Sequence, residues 1–296
     1  MENDNAKKIA LKVSVVTIAV NVILTGFKLA AGFIGNSSAM ISDAVHSASD
    51  IISTVIVMVG VVIASKPLDS KHPYGHERME CIAAIILSVL LCFTGALIGY
   101  DGVTKLIDGS YVAIEQPNMI ALIAAIASIL IKEAMFWYTY AYSKKIRSLS
   151  LKADAWHHRS DALSSVGSLI GIGATMIFNM PVFDVIASLI ICLFILKVAI
   201  DIFIEAVNKI VDKSCPDKMI EEMRGVIYAV DGVLSIDLIK TRMFGNKIYV
   251  DVEIGVDGEM PLKNAHQIAE NTHNAIEKYD DRIKHCMVHV NPVEEK

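Results

Sequence analysis

The sequence predicts a membrane protein: a six-helix transmembrane bundle followed by a small α+β domain. Three observations predict it. The chain has 296 residues, 54% of them hydrophobic, with a mean hydropathy of +0.50, too apolar for an ordinary water-soluble domain. The apolar residues gather in six stretches of roughly 20 residues, the length that crosses a bilayer as a helix. The last stretch ends near residue 203 and the composition becomes mixed from Asp212, and the domain boundaries are set at 1–206 and 207–296.

The six spans are read at about 13–34, 39–64, 81–100, 119–142, 149–178 and 182–203. Their connections differ in charge. Lys7, Lys8 and Lys12 precede the first span, Lys66, Lys71 and Arg78 lie between the second and third, Lys144, Lys145 and Arg147 between the fourth and fifth, and Lys209 and Lys213 follow the sixth. The alternate connections hold only Lys105. Basic loops stay in the cytoplasm, so the expectation is a multi-pass protein with both termini inside. The polar opening Met1-Glu2-Asn3-Asp4-Asn5 and the absence of a small-residue cleavage pattern give no sign of a removable targeting segment.

After the sixth span, 216–228 has helical periodicity. Segments 232–243 and 247–256 read as strands, the second through the alternation Ile248-Tyr249-Val250-Asp251-Val252-Glu253-Ile254, with Phe244-Gly245-Asn246 turning between them. Residues 261–279 form an amphipathic helix that starts near Pro261, and 282–290 a last strand. The predicted order is α-β-β-α-β.

The second and fifth spans are the least apolar because they carry one motif twice. Asp43-Ala44-Val45-His46-Ser47-Ala48-Ser49-Asp50 and Asp154-Ala155-Trp156-His157-His158-Arg159-Ser160-Asp161 both read Asp-Ala-x-His-x-x-Ser-Asp. Steps of three and four put the acid, the histidine and the second acid on one helix face. Three spans separate the copies, so the fifth helix runs opposite to the second, as in the inverted repeats of transporters. At 1.5 Å per residue, His46 lies roughly 12 Å and Asp50 roughly 18 Å below the outer end of their span. Asp161 lies roughly 13 Å and His157 roughly 19 Å below the same surface in a core about 30 Å thick. His46 therefore levels with Asp161, and Asp50 with His157, near the bilayer midplane. Asp43 and Asp154 fall to either side and are read as helix hydrogen bonding or an ion-attracting vestibule, not as direct ligands.

Ionisable residues at that depth mark function. Two imidazoles and two carboxylates offer N2O2 coordination, which suits tetrahedral Zn²⁺ first and leaves Mn²⁺, Fe²⁺, Cd²⁺ and Co²⁺ open. Imidazole ligates in its neutral form, so one site that takes metal or protons suits an exchanger. A second cluster, Asp69, His72 and His76, lies in the loop after the second span, where Pro73 and Gly75 break regular structure. A third gathers Asp251, His266, His285 and His289 in the soluble region, with Asp237 as a further member. His273 and His158 are read as structural or solvent-facing, and Lys28, Lys132 and Glu133 are left without a role.

Several classes are set aside. The net charge of −5 disfavours a nucleic-acid partner. Cys81, Cys92, Cys192, Cys215 and Cys286 form no C-x-x-C pair, which disfavours thiolate ligation. No H-E-x-x-H motif occurs, and four protein ligands leave no place for a catalytic water, so a metallopeptidase is disfavoured and no enzyme is expected. A passive channel needs weaker sites than four ligands provide. A membrane-anchored metal sensor is the rival from another class, and it has no need of a site at the midplane.

With these motifs, and with Gly-Asn-Ser-Ser-Ala-Met at 35–40, the sequence resembles the cation diffusion facilitator family over nearly its whole length. The resemblance implies six membrane helices, a metallochaperone-like (ferredoxin-like) cytoplasmic domain and a homodimer in the cell membrane. It implies export of a divalent transition metal from the cytoplasm in exchange for protons, with metal as cargo and no cofactor. His46, Asp50, His157 and Asp161 correspond to the family's transport site, and this His-Asp/His-Asp set is similar to that of zinc-selective members. Asp69, His72 and His76 correspond to its loop site. Asp251, His266 and His289 fall where cytoplasmic-domain ligands occur, although Asp237, Asp251 and Asn291 stand where some relatives have His, His and Asp. Arg78 and Asp212 resemble a charge pair at the family's membrane–cytoplasm hinge.

Overall fold

A computed structural model describes residues 2–34, 38–108, 119–178 and 182–293. The residues Gly35, Asn36 and Ser37 of the first connection lie outside them. The chain divides into two compact units, Met1–Ala206 and Val207–Lys296.

Among the described residues the first unit is built from six long helices: α1 (Glu2–Ile34), α2 (Ser38–Ala64), α3 (Arg78–Asp108), α4 (Met119–Lys145), α5 (Leu149–Phe178) and α6 (Val182–Ile210). Their few polar residues are spent inward. Thr17 and Thr25 return their hydroxyls to the carbonyls of Val13 and Asn21, one turn back, which satisfies each hydroxyl without water. Outward faces are apolar. Ile23, Phe33, Phe93, Ile107, Leu130 and Leu193 are all more than half exposed, a surface suited to hydrocarbon rather than water. Among the described residues, Asn5–Ala31 and Arg78–Asp108 are long and apolar enough to cross a membrane.

Contacts between helices fix their directions. Asp50 meets His157 and Thr54 meets Asp154, so moving forward along α2 moves backward along α5. The two motif-bearing helices therefore pack antiparallel, as the inverted arrangement requires. Lys132 meets Asp161, and Phe136 packs on Trp156 with ring centroids 5.3 Å apart, which places α4 antiparallel beside α5 as well. Helix α3 closes on α2 where neither has a bulky side chain. A Cβ at Gly60 would fall 2.5 Å from the Cβ of Ala83.

In the second unit α7 (Asp217–Tyr228), β1 (Ser235–Phe244), β2 (Lys247–Asp257), α8 (Leu262–Tyr279) and β3 (Ile283–Val293) follow in the predicted order α-β-β-α-β. The sheet is mixed, in the order β1-β2-β3, with β1 and β2 antiparallel and β2 and β3 parallel. Gly245, at φ +64°, supplies the left-handed residue of the turn between β1 and β2. A parallel pair needs a long crossover, and α8 is that crossover. The alternation read in β2 works as a sorting device. Val250, Val252, Ile254 and Val256 enter the core with Met223 and Ile227 of α7 and Ile276 of α8. Asp251 and Glu253 consequently face away from the helices.

The contact at Gly60 generates a prediction. Gly60→Ala forces α2 and α3 apart and costs about 1–3 kcal/mol by overpacking. Gly26→Ala, where a Cβ meets nothing within 4 Å, is neutral or stabilising by about 0.5–1 kcal/mol. Thermal unfolding of the purified protein in detergent measures both, and equal midpoints would remove Gly60 from the packing argument.

Candidate metal centre

The repeated motif meets across α2 and α5. Asp50 is 1% exposed, and its Oδ1 lies 3.4 Å from His157 Nε2. Asp161 completes a group in which one ligand atom from each of Asp50, His157 and Asp161 lies within 4.8 Å of the others. His46 sits in α2 one turn before Asp50, but its side chain and that of Asp43 lie outside the described residues. Asp50, His157 and Asp161 thus come together as the motif implies.

The centre also holds a residue that the motif does not contain. Lys132 of α4 is 2% exposed, and its Nζ bonds Asp50 Oδ2 and lies 3.1 Å from Asp161 Oδ2. Two buried carboxylates this close repel each other and lose hydration, so they need positive charge between them. The ammonium supplies it at the place where a dication would bind the same oxygens. Nearby, Lys28 donates to Ser47 Oγ at 2.8 Å. A cavity of about 220 Å³ lined by Lys28, Ser47, Thr94, Ser128, Lys132 and Asp161 adjoins the centre. An isolated lysine on an apolar span has no period to announce it. The only signal available was its cost: a charge in mid-span must find a partner of opposite sign.

Of the two readings of Asp154, the structure shows the hydrogen-bonded one. Asp154 is fully buried, accepts a hydrogen bond from Thr54 Oγ1 at 3.2 Å and faces His158 Nε2 at 3.7 Å. It braces α5 against α2 instead of lining an open approach. His158 is likewise fully buried, not solvent-facing. Glu133 pairs with Arg159, whose guanidinium lies over the Phe136 ring at 4.3 Å.

The loop after α2 brings Asp69, His72 and His76 together. Asp69 Oδ1 accepts the backbone N–H groups of His72 at 2.7 Å and Lys71 at 2.9 Å and lies 3.1 Å from His72 Nδ1, while Oδ2 lies 3.4 Å from His76 Nε2. The His72 backbone N–H, foremost among these donors, holds the Asp69 carboxyl below the usual carboxylate range. Gly75, at φ +102°, makes the turn that lets His76 fold back until its ring centroid is 4.3 Å from that of His72. Asp69 and His72 are exposed and His76 is buried, and one ligand atom from each lies within 4.8 Å of the others.

The third cluster does not assemble as read. Asp251 and His289 lie on the sheet face away from the helices, where His289 pairs in register with Glu253. His266 projects from α8, which covers the other face, and is exposed beside Glu270. Sheet parity separates these residues. His285 instead joins His273 and Glu277 of α8. Asp237 accepts a hydrogen bond from Asn291 Nδ2 at 2.8 Å, and that contact holds its carboxyl below the usual range. Ser235 Oγ also donates to Asp237 Oδ1 at 2.9 Å, and a Cβ at Gly255 would fall 2.2 Å from that hydroxyl. Arg78 and Asp212 belong to different units.

Comparison with known proteins agrees with this architecture. Residues 14–211 match the cation efflux transmembrane domain, and residues 215–293 match the cytoplasmic domain of cation efflux proteins. These two domains define a membrane protein for efflux of divalent metal cations. An uncharacterized transporter of Methanocaldococcus jannaschii is 36% identical, over 95% of this chain and 97% of its own. The manganese efflux system protein MneP of Bacillus subtilis is 30% identical, over 97% of each chain. The magnetosome protein MamB of a Magnetospira strain is 29% identical, over 93% of this chain and 92% of its own. The chain belongs to the cation diffusion facilitator family, whose members are transporters and not enzymes.

The place of Lys132 can be tested by removing its charge. Lys132→Met leaves Asp50 and Asp161 buried without their shared cation, at a cost of about 3–5 kcal/mol. The metal-free variant in detergent unfolds at a lower temperature than the wild type, and Zn²⁺ or Mn²⁺ raises its midpoint more than it raises that of the wild type. A variant as stable as the wild type without metal would show that the ammonium does not neutralise the pair.

Proposed function

We propose that this protein exports a divalent transition metal from the cytoplasm in exchange for protons, by alternating access around His46, Asp50, His157 and Asp161. The observation that carries the reading is the convergence of Asp50, His157 and Asp161 with the Lys132 ammonium between the carboxylates. Such a centre holds cationic charge in one of several forms and is stable only when it holds one. Metal enters by displacing the ammonium from the shared oxygens, and a carrier that has released its metal regains neutrality from Lys132 and from protons on imidazole. The empty carrier is thereby spared the cost of returning with two bare carboxylates.

Zinc is the first choice of cargo, because two imidazoles with two carboxylates suit its tetrahedral preference. Manganese is the second, favoured by the relatives MneP and MneS of Bacillus subtilis, both named as manganese efflux system proteins. In this reading all six long helices cross the cell membrane, both termini face the cytoplasm, and Asp69, His72 and His76 take metal at the cytoplasmic side. Two copies pack through the sheet face that α7 and α8 leave uncovered, where Met287 is 58% exposed.

Metal flux into proteoliposomes under an imposed pH gradient tests the proposal, with Zn²⁺, Mn²⁺, Fe²⁺ and Cd²⁺ compared. Proton-driven flux of one metal, abolished in His46→Ala/His157→Ala, is the expected result. Flux indifferent to pH on both sides would refute the coupling. Flux of manganese with little zinc would keep the mechanism and change the cargo. Absence of flux with metal still bound by the soluble domain would favour a sensor.

A further inference from the structure

Strand β3 is an edge of its sheet, and in a parallel pair alternate residues turn both peptide groups outward. Cys286 is one of these. Its carbonyl lies 2.7 Å from His273 Nδ1, and its N–H donates to Glu277 Oε1 at 3.2 Å. A carbonyl can only accept, so His273 carries its hydrogen on Nδ1 and presents Nε2 outward. That nitrogen lies 3.2 Å from Glu277 Oε1, and His285 Nδ1 lies 3.5 Å from the same oxygen. Each residue offers one ligand atom, and the three lie within 4.8 Å of one another.

These distances fit a coordination shell as well as they fit direct imidazole–carboxylate pairing. A metal ion about 2.0–2.1 Å from nitrogen and oxygen donors spaces neighbouring tetrahedral ligands about 3.3–3.4 Å apart. Two edges of the triangle match that spacing. The surroundings match as well: a ligating histidine characteristically donates its other ring N–H to a backbone carbonyl, and a ligating carboxylate is itself oriented by a donor. Cys286 supplies both through its peptide groups, while its thiol is buried in the domain core.

We propose that His273, Glu277 and His285 form a divalent transition-metal site on the cytoplasmic domain, separate from the membrane centre and from the Asp69 loop. The His2Glu donor set favours zinc-like ions such as Zn²⁺, Co²⁺ and Ni²⁺ over Mg²⁺ and Ca²⁺. His285 is 47% exposed on its side chain, so the remaining coordination position is open to water. Bound metal ties the C-terminal half of α8 to the edge of β3 and stabilises the domain by an amount that grows with the logarithm of metal concentration once the site is filled. The site does not depend on the transport reading, because it shares no residue with the membrane centre.

The test counts Co²⁺ on the purified full chain in detergent, by equilibrium dialysis with visible absorption as a report of coordination. Three variants accompany the wild type: His273→Gln/His285→Gln, the single His285→Asn, and Asp50→Asn/Asp161→Asn. The double histidine variant is expected to bind one Co²⁺ fewer per chain and to lose the absorption of that ion, with metal-free circular dichroism unchanged. His285→Asn, at a half-exposed position that spares the fold, is expected to weaken the same ion at least tenfold. Wild-type stoichiometry and affinity in both would overturn the site and leave His273 and Glu277 as caps of the strand edge. The Asp50/Asp161 variant reports on the membrane centre alone. If it keeps the full Co²⁺ count, the transport site is refuted while the histidine result stands on its own.

Discussion

Two carboxylates close together inside an apolar bundle impose the main constraint on this molecule. Asp50 and Asp161 are both buried, and the surrounding helices and the bilayer solvate a carboxylate far less well than bulk water does. Some positive charge must accompany them. In this structure it is Lys132, drawn from α4 to bridge the oxygens of α2 and α5. The packing around the centre serves this arrangement. Asp154 and Thr54 brace α2 against α5 one turn away, and Arg159 over the aromatic surface of α4 steadies α5 from the outside.

Much of this was legible in the residues. Asp-Ala-x-His-x-x-Ser-Asp, written twice on helices of opposite direction, pairs Asp50 with His157 by counting alone, and the two side chains meet at 3.4 Å. The Asp69 loop was legible because its partners lie within one short segment, where chain connectivity already brings them close. Lys132 was visible as a residue but not as a partner. Nothing in the order of residues says which face of α4 turns to the carboxylates, since that is decided by packing among three helices.

The soluble unit shows the complementary failure. Asp251, His266, His285 and His289 were grouped by residue type, yet a strand alternates and a covering helix sits on only one side. Parity sends Asp251 and His289 to one face while α8 keeps His266 at the other. His273 and Glu277, four apart on one helix, carried a local signal of their own, but its meaning depended on β3 being an edge strand with outward peptide groups. Edge position belongs to the sheet as a whole and is written in no single segment.

The three clusters differ in how many independent elements they join, and this governs what each can do. Asp69, His72 and His76 belong to one loop, so binding there reshapes only that loop. His273, Glu277 and His285 join one helix to one strand already locked by the peptide groups of Cys286, so metal stiffens an existing contact. The membrane centre joins α2, α4 and α5 through the side chains of Asp50, Lys132, His157 and Asp161, and among the described residues no backbone hydrogen bond ties these helices to one another at that level. Replacing the ammonium by a dication there alters the forces between three rigid helices. A population of conformations responds only to a ligand that binds them unequally. Of the three clusters, the membrane centre alone joins three separate helices through its ligands, which is why the proposed coupling of occupancy to access is assigned to it.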